Sequence, residues 1–258
     1  MERPPPREAE VMWRDGDVPV STRHGEAYFG DADALAEARH VFIAGNDLPA
    51  RFRERREAFP DPRRRRPFQI AELGFGTGLN ALAATLAWRA AGSGDTLRLT
   101  SFEAHPLPAE DMARALRPWP ELAPLARELV AAWGAGERAF RLGEPGSGAV
   151  EVEVIIGDAR ETLPLWPGRA DAWFLDGFSP ARNPELWEPA LLAEVAEKSA
   201  GAATLATYSA AGSVRAALEA AGFAVERVAG FGRKKHMTRA ILGPRAPRRV
   251  ICPPRPLE

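Results

Sequence analysis

The pattern of apolar positions changes character about a quarter of the way along the chain. Over 11–30, short apolar stretches alternate with turn signals at Asp15-Gly16-Asp17 and His24-Gly25, which predicts short β pieces. Over 33–43, Leu35, Ala38, Val41 and Phe42 recur on one side of a helix. Ala44-Gly45-Asn46-Asp47 breaks it, a basic helical stretch follows to about Phe59, and Asp61 to Pro67 reads as a polar linker. From Phe68 the rhythm becomes strand, loop, helix. Strands are predicted over Phe68–Leu73, Leu97–Glu103, Val150–Ile156, Ala172–Leu175, Ala203–Tyr208, Phe223–Ala229 and Thr238–Leu242. Helices are predicted over Leu79–Ala90, over 107–132 with an interruption at Pro118-Trp119-Pro120, near Glu161–Leu165, over Pro184–Ser199 and over Ala211–Ala221.

Strands alternating with helices predict a mostly parallel sheet covered on both faces. The loop between the last two strands is too short for a parallel crossover, so they should pair antiparallel. The expected fold is α/β: a seven-stranded sheet with a terminal antiparallel pair, the arrangement of Rossmann-like methyltransferases. It should occupy 67–243, with a small β/α extension over 1–66 packed on it and a Pro/Arg-rich tail over 244–258.

Composition narrows the function classes. Hydrophobic residues make up 45% of the 258 and charged residues 27%, ordinary for a globular chain. The single cysteine, Cys252, excludes a disulfide framework and a cysteine-based metal site. His24, His40, His105 and His236 show no ligand spacing, so no metal is expected. No stretch approaches the roughly 20 apolar residues of a membrane span. The charged, Pro-rich start is not a signal peptide, so a cytoplasmic setting and no membrane partner are expected. Net charge is −1, but eight arginines fall between Arg51 and Arg66, and Arg233-Lys234-Lys235 forms a second basic cluster.

In open α/β sheets, ligands sit outside the carboxyl ends of the strands. There the chain carries Glu72-Leu73-Gly74-Phe75-Gly76-Thr77-Gly78. Glycines allow a sharp turn and close backbone approach, and the following helix amides favour an anion. A dinucleotide fingerprint wants Gly or Ala where Leu79 stands, and this argues against a nicotinamide-dependent oxidoreductase. Gly74, Gly76 and Gly78 with Glu72 fit S-adenosylmethionine better: its carboxylate suits the amides and its ammonium suits an acid. Glu103 at the second strand end can accept from ribose hydroxyls, and Asp158, beside Ala159 at the third, from an adenine amine. Asp176 ends the apolar strand Ala172-Trp173-Phe174-Leu175. A carboxylate there can hold an amine nucleophile, align it and help remove its proton. Phe178 can stack on a base, and Pro180 can stiffen the loop.

These motifs resemble the methyltransferase domain of the bacterial bifunctional tRNA 5-methylaminomethyl-2-thiouridine biosynthesis proteins and its stand-alone relatives. The matching runs include Ala27-Tyr28-Phe29-Gly30, Val41 to Pro49, Glu72 to Asn80, Ser101-Phe102-Glu103, Leu175-Asp176-Gly177-Phe178-Ser179-Pro180-Ala181-Arg182-Asn183-Pro184, Thr207 to Ala210 and Gly230 to Lys235. His24-Gly25-Glu26 stands where the family usually reads Phe-Asp-Asp. The resemblance implies methylation of an aminomethyl group on the tRNA wobble uridine, with coupling to a separate FAD-dependent oxidase activity. It places Asn80 with the cofactor and Tyr28, Asn46, Phe178, Pro180 and Arg182 with the substrate. Arg233, Lys234 and Lys235 are then expected on phosphates of the anticodon stem-loop. Other readings are methylation of another RNA or a small amine, and a non-catalytic RNA-binding module; the intact acids and Gly76 argue against the last.

Overall fold

The computed structural model describes residues 8–14, 17–30, 33–59, 61, 66–92, 96–144 and 148–244. The first seven residues, Arg63–Arg65 of the basic run and the tail beyond Pro244 lie outside these.

Three short strands open the described chain: β1 (Val11–Arg14), β2 (Val18–Ser21) and β3 (Glu26–Ala27), paired antiparallel in that order. Helix α1 (Ala34–Ala38) starts at Asp33, whose carboxylate accepts from the amides of Leu35 and Ala36. Instead of continuing as an α-helix, the chain widens into a π-helical turn over Arg39–Ala44. Val41, Phe42 and Ile43 are all buried there, and the wider turn accommodates three consecutive core residues that an ordinary apolar stripe would not. Helix α2 (Leu48–Ala58) buries Leu48 and Phe52 in the same core.

The main sheet then builds through β4 (Phe68–Leu73), α3 (Leu79–Ala90), β5 (Leu97–Glu103), α4 (Ala109–Leu116), α5 (Ala123–Gly134), β6 (Ala139–Leu142) and β7 (Val150–Ile156). It continues through α6 (Ala159–Thr162), β8 (Ala170–Leu175), α7 (Pro189–Glu197), β9 (Ser199–Thr207), α8 (Gly212–Ala220), β10 (Phe223–Ala229) and β11 (His236–Leu242). The order is β10-β11-β9-β8-β4-β5-β7-β6, so the sheet has eight strands, not seven. The added strand, β6, is a four-residue antiparallel edge with one buried side chain, too weakly patterned to register as a strand. β11 inserts between β9 and β10, antiparallel to both, as the short connecting loop requires.

The helix expected over Pro184–Ser199 is also divided. Pro184–Trp187 forms a 3-10 turn, α7 begins at Pro189, and Ser199 already belongs to β9. Glu188, immediately before Pro189, is extended at ψ 137°, because a following proline disfavours the helical region.

Central strands bury both faces, so they read as continuous apolar runs. Along β8, Ala172 and Phe174 face the core shared with α2 and α3, while Trp173 and Leu175 face the opposite one. The chain goes from β4 to β5 and β7 on one side and returns to β8 on the other. The crevice therefore opens at the carboxyl ends of β4 and β8.

Candidate active site

A cavity of about 1530 Å³ lies at these strand ends. Loops after β4, β5, β7 and β8 form its floor, and the β2–β3 hairpin, α1 and Lys234 close over it. A typical small-molecule pocket is about 300–1,000 Å³, so there is room for two ligands side by side.

The glycine turn is built for two purposes. A Cβ on Gly74 would sit 2.1 Å from the carbonyl oxygen of Asp176, so this glycine lets the loops after β4 and β8 touch. Gly76 lines the cavity at φ +52° with the Tyr28 ring beside it, where a Cβ would come within 3.2 Å. Gly78 is turned away from the cavity: it caps α3 against Leu129 and Phe75.

Beneath the turn, the side-chain amide of Asn80 donates to Glu72 Oε1 at 2.9 Å and to Asp176 Oδ2 at 2.6 Å. Glu72 is 0% exposed, and its Oε2 has no hydrogen-bond partner among the described residues. Burial, reinforced by the charge of Asp176, raises its pKa from 4.5 to about 8. Burial also lifts Asp176 to about 7; Asn80 and Lys234 act to lower it, Glu37 and Glu103 to raise it. Glu103 is raised by burial and held down by backbone amides, including those of Gly76 at 3.0 Å and His105 at 2.7 Å. Asp158 caps α6 and pairs with the Arg160 guanidinium at 2.6 Å, which lowers its pKa; Ala159 beside it lines the cavity.

The loop after β8 is clamped from several sides. The Tyr208 hydroxyl donates to the Gly177 carbonyl, and Trp187 Nε1 donates to that of Phe178 at 2.8 Å. The Glu26 carboxylate accepts from the backbone and hydroxyl of Ser179 at 2.9 and 2.8 Å. His24 stacks on Phe178 with centroids 4.6 Å apart, Tyr28 meets Phe178 edge-on at 5.1 Å, and His24 Nδ1 lies 3.0 Å from the Arg182 carbonyl oxygen.

The structure thus gathers Gly74, Gly76, Asn80, Glu103, Asp158, Ala159, Asp176, Tyr28, Phe178, Arg182 and Lys234 around one cavity, with Glu72 directly behind Asn80. Pro180, Arg233 and Lys235 do not line it. Asn46 is 0% exposed and donates to the carbonyls of Phe42 and Trp173, so it ties the π-turn to β8 rather than facing a substrate. Lys234 is not a free phosphate contact: its ammonium pairs with Glu37 at 2.8 Å and lies 3.9 Å over the Tyr208 ring. The helix carrying Arg51 and Arg56 is engaged elsewhere. Arg51 donates to Thr204 and to the Asp171 carbonyl, and Arg56 to the Ala91 carbonyl. Asp171 and Ala91 sit by the amino ends of β8 and β5, the end of the sheet opposite the cavity. Glu37 had no local motif to mark it, and His24 and Glu26 stood out only as a departure from the family's usual Phe-Asp-Asp; the partners of all three lie more than 150 residues away.

This donor set suits a ligand carrying positive charge. Glu72 keeps an orphaned, buried oxygen, and Asp176 and Glu103 crowd the same floor. S-adenosyl-L-methionine carries an ammonium and a sulfonium, and the residues present fit it. A doubly wound sheet ending in an antiparallel pair, with a Gly-rich turn and an acid at each successive strand end, defines the class: an S-adenosyl-L-methionine-dependent methyltransferase. Residues 120–243 match the sequence family described in those words. Over 97% of its length the chain is 44% identical to the tRNA 5-methylaminomethyl-2-thiouridine biosynthesis bifunctional protein MnmC of Caulobacter sp. (strain K31), covering 40% of that protein. It is 46% identical to the protein of the same name from Ectopseudomonas mendocina (strain ymp), over 89% of this chain and 34% of that one. The crystal structure of MNMC2 from Aquifex aeolicus superposes with a TM-score of 0.68 at 25% identity, covering 92% of this chain and 72% of that one. The chain belongs to the methyltransferase family that forms the matched part of these proteins. It spans well under half the length of the bifunctional relatives.

Proposed function

We propose that the chain transfers a methyl group from S-adenosylmethionine to the amino group of 5-aminomethyl-2-thiouridine at the tRNA wobble position, giving 5-methylaminomethyl-2-thiouridine. The relatives' names support this choice of substrate. The observation that carries the chemistry is Asp176: it lines the cavity with Oδ2 held by Asn80, while Oδ1 has no hydrogen-bond partner among the described residues.

In this reading Glu72, Gly74, Gly76, Asn80, Glu103, Asp158 and Ala159 form the cofactor side, and Gly78 shapes the turn from behind. Glu72 and Asn80 face the ammonium, and the Gly76 turn and the α3 amides face the carboxylate. Glu103 takes the ribose hydroxyls. A cofactor held there would supply an electrophilic methyl group on sulfur, with the neutral thioether as the leaving group. Asp176 Oδ1 accepts an N–H of the substrate amine, aims the lone pair and takes the proton that the amine must lose. Tyr28, Phe178 and His24 supply ring faces for the uracil. A separate FAD-dependent oxidase activity is the expected source of the primary amine.

The test is methyl transfer to tRNA lacking this modification. Asp176→Asn keeps the shape and removes the base, so kcat should fall by about 10²-fold or more with a much smaller change in cofactor affinity. Wild-type kcat/KM should rise with pH through an apparent pKa of about 7 as the carboxylate ionises. The variant should lose that limb and recover partly at higher pH, where more amine is already neutral. A near-wild-type rate at every pH would leave Asp176 a loop-capping residue.

A further inference from the structure

We infer that Arg23 and Arg182 form a two-guanidinium fork that takes a backbone phosphate of the substrate nucleotide at the cavity mouth. This rests on the tRNA reading above. Among the described residues several cations near acids are already paired: Arg39 with Glu121, Arg98 with Glu151, Arg114 with Asp17, Lys234 with Glu37. Arg23 and Arg182 are different. Both are exposed and line the cavity, and among the described residues neither guanidinium has an ion pair or a hydrogen bond.

Their backbones, by contrast, are fixed. The hairpin turn after Arg23 is held by the amides of His24 and Gly25, which donate to the Ser21 hydroxyl at 3.2 Å and the Ser21 carbonyl at 2.8 Å. The Arg182 amide donates to the Ser179 carbonyl at 2.8 Å, and the Arg182 carbonyl meets His24 Nδ1. Arg182 Nη1 reaches the hairpin itself, 3.8 Å from where a Cβ on Gly25 would be. Arg23 thus stands on the turn that Arg182 Nη1 reaches, and both residues line the same cavity. Glu26 between them is occupied by Ser179.

The surroundings identify the ligand. Directly inside lies the His24–Phe178 stack with Tyr28 at its edge. Ring faces beside guanidinium groups are the usual means of holding an unstacked base of single-stranded RNA with its backbone. A guanidinium fork matches a phosphate's paired oxygens. Charge is also sorted with depth: the carboxyl groups of Asp176 and Glu103 line the floor, and the free arginines lie at the exposed rim. That gradient repels a phosphate from the floor and draws an ammonium to it, so a nucleotide enters amine first with its phosphate left at the mouth.

The test measures binding of an unmodified anticodon stem-loop RNA across a salt series, with S-adenosylmethionine affinity followed in parallel. Arg23→Gln and Arg182→Gln should each weaken RNA binding and reduce the salt slope by about 1, and the double variant by about 2. Cofactor affinity should be unchanged. Arg227→Gln, which removes the same charge from exposed edge strand β10, should leave the slope as it was. Turnover supplies a second readout: kcat/KM should fall for the stem-loop carrying the aminomethyl base and stay constant for the corresponding nucleoside, which has no phosphate. A wild-type slope in the double variant, or equal losses on stem-loop and nucleoside, would overturn the fork. If the wild type itself shows no salt-dependent binding of the stem-loop, the tRNA reading falls with it.

Discussion

Replacing Glu72 by Gln should stabilise the cofactor-free protein while weakening its hold on S-adenosylmethionine. Glu72 is fully buried, its Oε2 has no partner among the described residues, and its pKa stands near 8 against an ordinary 4.5. The sign follows from proton counting. Between about pH 4.5 and 8 the unfolded chain has lost this proton and the folded chain has kept it. The unfolded state then binds fewer protons, so stability falls as pH rises across that window. At 1.36 kcal/mol per unit, the gap of roughly 2.5 units between pH 7 and the unfolded value corresponds to about 3 kcal/mol lost at neutral pH. Glutamine keeps an acceptor for the Asn80 amide at 2.9 Å and cannot ionise. It should recover about 1 to 3 kcal/mol of this, or roughly 2–4 °C in melting temperature for each kcal/mol. Scanning calorimetry without cofactor at pH 5.5 and pH 8 is the assay. Wild type should melt lower at pH 8, the variant should show a flatter dependence, and titration calorimetry should show weaker cofactor binding by the variant. If the variant is destabilised equally at both pH values, with wild-type pH dependence intact, Glu72 does not hold a raised pKa in the folded protein.

Two further outcomes bear on the same cavity. Gly76→Val places a β-branched side chain at φ +52° and within 3.2 Å of the Tyr28 ring, so it should abolish cofactor binding by calorimetry; wild-type affinity in a normally folded variant would remove the turn from the cofactor site. Lys234→Met removes a cation that lowers the pKa of Asp176, so the kcat/KM limb near pH 7 should move to higher pH while the salt slope for stem-loop binding stays unchanged. A shift in the slope instead of the pH limb would return Lys234 to the phosphate path.

Much of this was legible because two physical periods dominate the chain. Strands buried on both faces leave unbroken apolar runs such as Ala172 to Leu175, and the polar residue that ends each run marks the sheet's carboxyl edge. Glu72 near one strand end, Glu103, Asp158 and Asp176 could therefore be placed together from sequence alone. What escaped depended on partners rather than on period. Edge strand β6 buries one side chain and so leaves almost no alternation. The division of the helix before Ser199 was readable in principle from Pro189, whose effect falls on Glu188 and outweighs the helical pattern around it.

The basic residues show why charge patterning alone misplaces a surface. Arg233-Lys234-Lys235 is the densest basic triplet near the last strands, and by composition it is the natural phosphate contact. Yet Glu37, almost 200 residues earlier, reaches Lys234, and the Tyr208 ring lies beneath it, which turns that ammonium toward the carboxylates of the floor. Arg23 and Arg182 stand alone in their local sequence, so nothing marks them as a pair until the Glu26–Ser179 and His24–Arg182 contacts bring the hairpin onto the loop after β8. A side chain's availability to a ligand depends on its tertiary neighbours as much as on its charge. Those neighbours set an acidic floor under an open basic rim, and under the proposed reading a cavity charged in that order would take the amine and the phosphate of one nucleotide in only one orientation.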